Sequence, residues 1–313
     1  MKKYLFTLLA CLIGFSSYSQ NEIEDGKSLI EAYVSPLTNS LGSALNNGWY
    51  NTAKPHKLGG FDVTITANIV MVPTNAKTFN ISKSNGGAFS GGETPTILGS
   101  GNGSPIDYSG DPSLDQKYMP KGINIPVIPL PMLQAGVGLI KGTEIDVRFI
   151  PEFKIGSIGK VGLFGIGFKH DLLQWIPVIG DAIPISLSLQ TGYTKLSSEI
   201  ELIDPTASID PSANLDISAT TVNLILSKKL LMFTPYVGLG YNSTRTTFNV
   251  YEKYDIAGLT INVAELTKID FESKNNFRAN IGFRFNITVI ALQANYTFAE
   301  YPTATLGVGV SLR

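Results

Sequence analysis

Few residues in this chain are suited to covalent or metal chemistry, and they are scattered. His56 and His170 are its two histidines, and two isolated histidines make a poor metal site. His170 precedes Asp171 at the end of a strand-like stretch, which suggests a general base with a carboxylate to orient it. Adjacent residues in a strand point to opposite faces, however, and no serine sits in a Gly-x-Ser-x-Gly elbow. His170 therefore reads as a helix-start or rim residue, and a membrane-embedded hydrolase around it is a remote alternative. Gly162, Gly165 and Gly167 resemble a nucleotide loop, but no helix or acidic partner follows in the required places. Glycines of this kind let strands coil and approach a plug or ligand. No catalytic residue, metal or cofactor is expected, and the chain reads as a non-enzyme.

The residues with most to offer are three arginines, Arg148, Arg278 and Arg284. Each lies on the polar side of an alternating segment. In Phe277–Phe285 the odd positions are apolar and the even ones are Arg278, Asn280, Gly282 and Arg284. After a turn at Asn286–Thr288 the parity switches, and Ile290, Leu292, Ala294, Tyr296 and Phe298 share one face. Thr305–Arg313 alternates again. Segments of roughly nine to eleven residues match a tilted strand crossing a bilayer. Apolar residues on one face and arginines and amides on the other suit a polar lumen. There the arginines could hold a carboxylate head group, or pair with lumen acids such as Asp62 and Asp146.

These strands imply export. Lys2 and Lys3, the apolar run Tyr4–Phe15 and the small residues Ser17-Tyr18-Ser19 read as a signal peptide over residues 1–19. Cys11, the only cysteine, leaves with it; lipidation at Cys11 would leave too short a hydrophobic stretch. Of 24 basic and 25 acidic residues, losing Lys2 and Lys3 leaves 22 and 25, a net of −3 with no basic stripe. Nucleic acid is thus a poor partner. After the signal, no apolar run is long enough for a spanning helix.

Residues 20–58 follow another period. Ile30, Tyr33, Leu37, Leu41 and Leu45 form a helical apolar stripe interrupted by Pro36, so two short helices are expected, as a plug in the lumen or a periplasmic cap. The barrel occupies 59–313. Its first strand sets Phe61, Val63 and Ile65 against Asp62, Thr64 and Thr66. Residues 84–121 read as a flexible loop, in which the Gly/Ser-rich stretch Asn85–Ser104 should be unable to bury a core. Pro126, Pro129 and Pro131 argue against a central strand there. Further strands near 132–140, 143–151, 161–169, 184–197, 215–228, 232–243, 245–254 and 259–271 bring the total to about twelve, or about fourteen if 76–82 and 122–128 also pair. Tight connections at Lys141–Gly142, Lys229–Leu231 and Asn286–Thr288 fall on the periplasmic side, and the polar loop Glu201–Asn214 falls outside. The exception is His170–Pro184, which reads as a short helix ending at Pro177. Tyr50, Tyr236, Tyr254, Tyr296 and Tyr301, at or near strand ends, read as an aromatic girdle. Trp49 and Trp175 lie outside strands, which leaves them open to ligand stacking.

Two segments are more specific than a generic barrel requires: Leu45–Asp62 (LNNGWYNTAKPHKLGGFD) and Gly165–Pro177 (GIGFKHDLLQWIP). They resemble a family of outer-membrane barrels from Bacteroidota, distantly similar to long-chain fatty-acid transporters. The transporters' Asn-Pro-Ala start and an aromatic C-terminal residue are lacking. The resemblance implies an all-β, antiparallel up-and-down barrel in the outer membrane with an N-terminal plug. Passive uptake of a small hydrophobic molecule is the function expected, with Tyr33, Leu37, Leu41, Leu45 and Trp49 as plug and ligand residues. Outer-membrane lipid and the barrel assembly machinery are the expected partners. A structural or interaction barrel with a filled lumen is the alternative. A continuous hydrophobic tunnel would favour uptake, and a lumen packed solid the structural role.

Overall fold

The computed structural model describes residues 20–85, 87, 89–108, 117–155, 159–176, 184–201, 212–256, 259–273 and 277–312. The signal segment 1–19 and residues 202–211 of the polar loop Glu201–Asn214 therefore lie outside the described residues. One long helix, α1 (Gln20–Asn46), precedes the strands. β1 (Phe61–Met71) enters the barrel, and five short strands follow: β2 (Thr78–Asn80), β3 (Phe89–Ser90), β4 (Glu93–Pro95), β5 (Pro105–Tyr108) and β6 (Lys117–Tyr118). The wall resumes with β7 (Val127–Leu139), β8 (Thr143–Ile155), β9 (Gly159–Asp171), β10 (Ser186–Glu201), β11 (Ser212–Ser227) and β12 (Phe233–Ile256). It ends with β13 (Leu259–Ser273), β14 (Phe277–Ile287), β15 (Ile290–Phe298) and β16 (Thr303–Leu312).

All wall pairings are antiparallel. β1 pairs with both β7 and β16, and β11 with β12, so the sheet closes on itself. The closed ring has ten strands, which corrects the expected twelve to fourteen. Segments 232–243 and 245–254 are one continuous strand, β12. Its inner half (Phe233–Tyr241) pairs with β14, while its outer half (Thr244–Ile256) pairs with β13. β13 thus extends a hairpin beyond the ring instead of crossing with it. Residues 76–82 also stay out of the wall, since β2 pairs only with β4.

Alternation positions the side chains as expected. Arg278, Asn280 and Arg284 on β14 are buried, while Phe277, Ile281 and Phe283 are exposed. The outward apolar residues recur on every strand of the ring, among them Ile65, Leu133, Phe149, Ile166, Leu224 and Val308. Tight turns gather at one end, the turn end. Lys141 and Gly142 both have positive φ, as do Leu231 and Thr288 in the neighbouring connections. A 3-10 helix at Leu173–Trp175 occupies the longer β9–β10 connection.

Three other expectations are corrected. Pro36 lies inside an unbroken helix, because proline removes one donor without ending a helix that its surroundings confine. Residues Ile81, Phe89, Leu98 and Met119 are buried, so the glycine-rich region does build a core. There a Cβ on Gly99, Gly103 or Gly122 would collide with backbone carbonyls, and glycine is what lets these loop segments approach. Pro129 and Pro131 do lie in a strand, β7, paired with β1. They fall where β7 has no partner on its other side, since β8 joins only from Gln134.

Candidate functional site

The lumen is the site, and the N-terminal segment runs into it, buried from Asn46 to Ala53. α1 begins at the loop end: the Ile97 N–H donates to Tyr33 O at 3.0 Å, and Tyr33 Oη donates to Lys121 O at 3.0 Å. At 27 residues it is about 40 Å long, enough to reach deep into the ring. Residues 47–60 then continue to the turn end, where the Gly59 N–H donates to Gly138 O and β1 begins.

Each step of this descent is held by wall side chains. Arg148 on β8, 0% exposed, donates to Leu45 O (2.9 Å) and Asn47 O (2.8 Å). Its Nε donates to Gln134 Oε1, and the Gln134 amide in turn donates to Trp49 O. Arg278 donates to Asn46 O at 2.7 Å, and Arg284 to Asn51 Oδ1 at 2.7 Å. Asn68 on β1 donates to both Ala44 O and Asn47 O, and Thr297 on β15 to Asn47 Oδ1. Ser188 on β10 donates to Ala53 O, and Ser227 on β11 accepts from the Ala53 amide. Buried backbone groups must be paired, and here the wall supplies what secondary structure does not.

Trp49 sits in a bed made by sequence. The Arg148 guanidinium lies 3.7 Å from its ring centroid. A Cβ on Gly165, Gly167 or Gly192 would press against the same ring, so the glycines of β9 and β10 form its flat seat. The indole is 1% exposed, which removes it as a surface for stacking a ligand from solution.

At the turn end His56 closes the arrangement. Its N–H donates to Glu144 Oε2 at 2.7 Å, and Nδ1 meets the same oxygen at 2.7 Å. Lys169 Nζ donates to Glu144 Oε1 at 2.6 Å. His56 Nε2 lies 3.3 Å from Ser311 Oγ and 3.8 Å from Asp62 Oδ2. A serine, a histidine and a carboxylate in that order can activate a hydroxyl in a hydrolase. In this case the carboxylate is shared with a buried lysine, and the Ser311 amide, a potential oxyanion donor, is committed to Val289 O. The group ties the N-terminal segment to β8, β9 and β16.

The expected site residues divide. Arg148, Arg278 and Arg284 do face the lumen: Arg148 and Arg278 bond to carbonyls of the N-terminal segment, and Arg284 bonds to Asn51 and stands 3.9 Å from Asp62 of β1. Tyr33 and Leu45 are buried, and Leu37 and Leu41 are half-buried. Tyr33 and Leu45, with Leu41 against them, join a cluster with Leu29, Ile81, Phe89 and Met119. Tyr50, Tyr236 and Tyr301 leave the expected girdle. Strand parity turns Tyr236 inward, where it meets Tyr50 edge-on at 5.9 Å, and Tyr301 is buried beside Ala44 and Val70. The side chain of Tyr254 lies outside the described residues. His170 braces the turn end, accepting from Trp175 Nε1 at 2.9 Å and lying 2.9 Å from Thr143 Oγ1. The residues that sequence reading missed are Asn47, His56, Asn68, Gln134, Glu144 and Lys169. The wall members among them sit on the polar side of an alternating strand, which was their available signal. Among the described residues no group of three or more His, Cys, Asp or Glu side chains could hold a metal.

No curated protein matches this chain. Among solved structures it is similar to the translocator domain of the autotransporter NalP from Neisseria meningitidis, with 10% identity, 93% of this chain and 98% of that one covered, and a TM-score of 0.30. The transport unit of the autotransporter AIDA-I from Escherichia coli gives 6% identity, 89% and 99% coverage and a TM-score of 0.23. The Pseudomonas putida toluene transporter TodX gives 8% identity, 89% and 92% coverage and a TM-score of 0.27. At TM-scores of this size the fold rests on the strand pairings themselves. A sequence profile matches residues 1–312, and the chain belongs to that family, described as a family of unknown function (DUF6588).

Proposed function

We propose that this protein is an outer-membrane β-barrel whose lumen is kept filled by its own N-terminal segment. It works as a structural or interaction platform at its loop end. The observation that carries this reading is the plug segment Asn46–Ala53: every residue in it is buried, and wall side chains from around the ring bind its backbone. Such a segment has fixed polar partners, and expelling it would leave buried arginines and amides unpaired. The outward apolar belt supports membrane residence, and no helix among the described residues is long and apolar enough to cross instead. Tight turns on one side and long connections on the other support an orientation with the turn end in the periplasm. Outer-membrane lipid is then the solvent of the belt, and the barrel assembly machinery the route of insertion.

Passive uptake of a small hydrophobic molecule is the second reading, and one observation favours it. Leu29, Ile30 and Tyr33 share one apolar cluster with Ile81, Phe89 and Met119 at the loop end, a joint that a greasy ligand could enter. Planar-bilayer recording separates the two. A filled-lumen barrel gives no steady conductance as purified, and deleting Asn21–Ala53, the helix together with the bonded segment, opens it. Steady conductance or probe uptake by the intact protein would instead establish the uptake reading.

A further inference from the structure

The turn end holds a cavity of about 260 Å³ that lies between plug and wall. Thr52, Lys54 and Lys57 face it from the plug, and Ser227, Lys229 and Arg284 from the wall. Four of its lining side chains are cations, and no carboxylate lines it among the described residues. Arg284 is 1% exposed and held in place, with Nε donating to Asn286 Oδ1 and one Nη to Asn51 Oδ1, each at 2.7 Å. Asp62, 3.9 Å from Arg284, also lies 3.8 Å from His56 Nε2, so its charge is shared. A concave mouth lined by one sign of charge concentrates the opposite ion.

We propose that this cavity binds a phosphate-type anion, either free or as an ester head group. Cations and hydroxyls reach it from two sides, which suits an anion whose oxygens point in several directions. Lys54 and Lys57 belong to the plug, Lys229 and Arg284 to the wall. A bound anion therefore bridges the two and exists as a bridge only while the plug is seated. Anything that binds the seated state alone stabilises it, so the ligand acts as a second clasp opposite the His56–Glu144 pair. This goes beyond the filled-lumen reading, because binding is measured whether or not the barrel conducts.

The test uses the full-length protein and inorganic phosphate at fixed ionic strength, with chloride as the control. Isothermal titration should show saturable phosphate binding, and phosphate should raise the temperature at which the barrel loses its unheated gel mobility. Lys54, Lys57 and Lys229 are exposed, so their replacement by glutamine leaves the fold intact. Each single variant, Lys54→Gln or Lys229→Gln, should weaken apparent binding by about tenfold, the scale of one charge-assisted contact. The triple variant should lose the thermal shift. Nanodiscs distinguish the sources. A raised midpoint in phosphatidylglycerol without phosphate assigns a lipid head group, and a phosphate effect confined to phosphatidylcholine discs assigns a free anion. The proposal is overturned if chloride reproduces the shift, if neither source binds saturably, or if the triple variant binds as tightly as the parent.

Discussion

The upper and lower halves of the N-terminal segment, the proposed plug, are held by opposite kinds of force. Toward the loop end α1 places Leu29, Ile30 and Tyr33 in an apolar cluster that also holds Ile81, Phe89, Leu215 and Ile217, with two hydrogen bonds at Tyr33 to fix its height. From Ala44 to His56 the chain is instead held by wall arginines, amides, hydroxyls and a glutamate aimed at its backbone. Apolar contact is non-directional and tolerates sliding, whereas each buried polar group demands its own partner. The lower plug is therefore fixed in register, and the upper plug is docked. The wall explains the difference: toward the loop end β9, β10 and β11 turn Leu163, Leu196, Leu215 and Ile217 inward, whereas lower down the inward faces carry arginines, amides and hydroxyls, so the chain there must be polar-complementary.

The largest expected effect lies in the lower half. Glu144→Ala leaves Lys169 and His56 buried without their carboxylate, a loss of about 3–5 kcal/mol. Equilibrium unfolding in urea from lipid vesicles would measure it, and a loss near zero would break the claim that the clasp holds the plug. Ile30→Ala should cost less, about 2–3 kcal/mol, since a partly open neighbourhood relaxes around the cavity. This variant should leave the lower plug as protected from proteolysis as before; cleavage near Asn51 would show that the two halves are not separate. The smallest effect is Tyr33→Phe, which removes one hydrogen bond worth about 1 kcal/mol. It also sharpens the comparison through pH. Burial pushes the Tyr33 phenol up to about 12 from its ordinary 10, so the seated plug favours the neutral form. That stabilisation is fully present below pH 10 and is lost as pH rises through about 12. The parent's upper helix should loosen across that window, and Tyr33→Phe should remove this part of the alkaline loss, as read by the far-ultraviolet helix signal.

Period-two alternation made the wall legible, down to Arg278, Asn280 and Arg284 facing in and Phe283 facing out. It could not count the ring. A strand that leaves the barrel and pairs with a hairpin partner, as β12 does beyond Thr244, alternates like one that stays. The helical period of the plug was equally plain, but its lower partners were hidden because they are isolated polar residues on different strands. Glu144 and Lys169 stand opposite each other only through the β8–β9 register. His56 was read as a lone histidine for the same reason. The aromatic residues misled where position near a strand end was weighed above parity. Tyr236 shares the inward face of β12 with Thr234 and Asn242, and parity placed it correctly.

Backbone hydrogen exchange tests most directly whether the lower plug is a fixed part of the barrel. The amides of Ala53 and His56, bonded to Ser227 and Glu144, should exchange as slowly as those at the centre of β1 or β15. Loop-end amides such as Ile97 should exchange faster. If Ala53 and His56 exchange with the loop-end amides and well ahead of the strands, the segment opens independently and the lumen is not permanently filled.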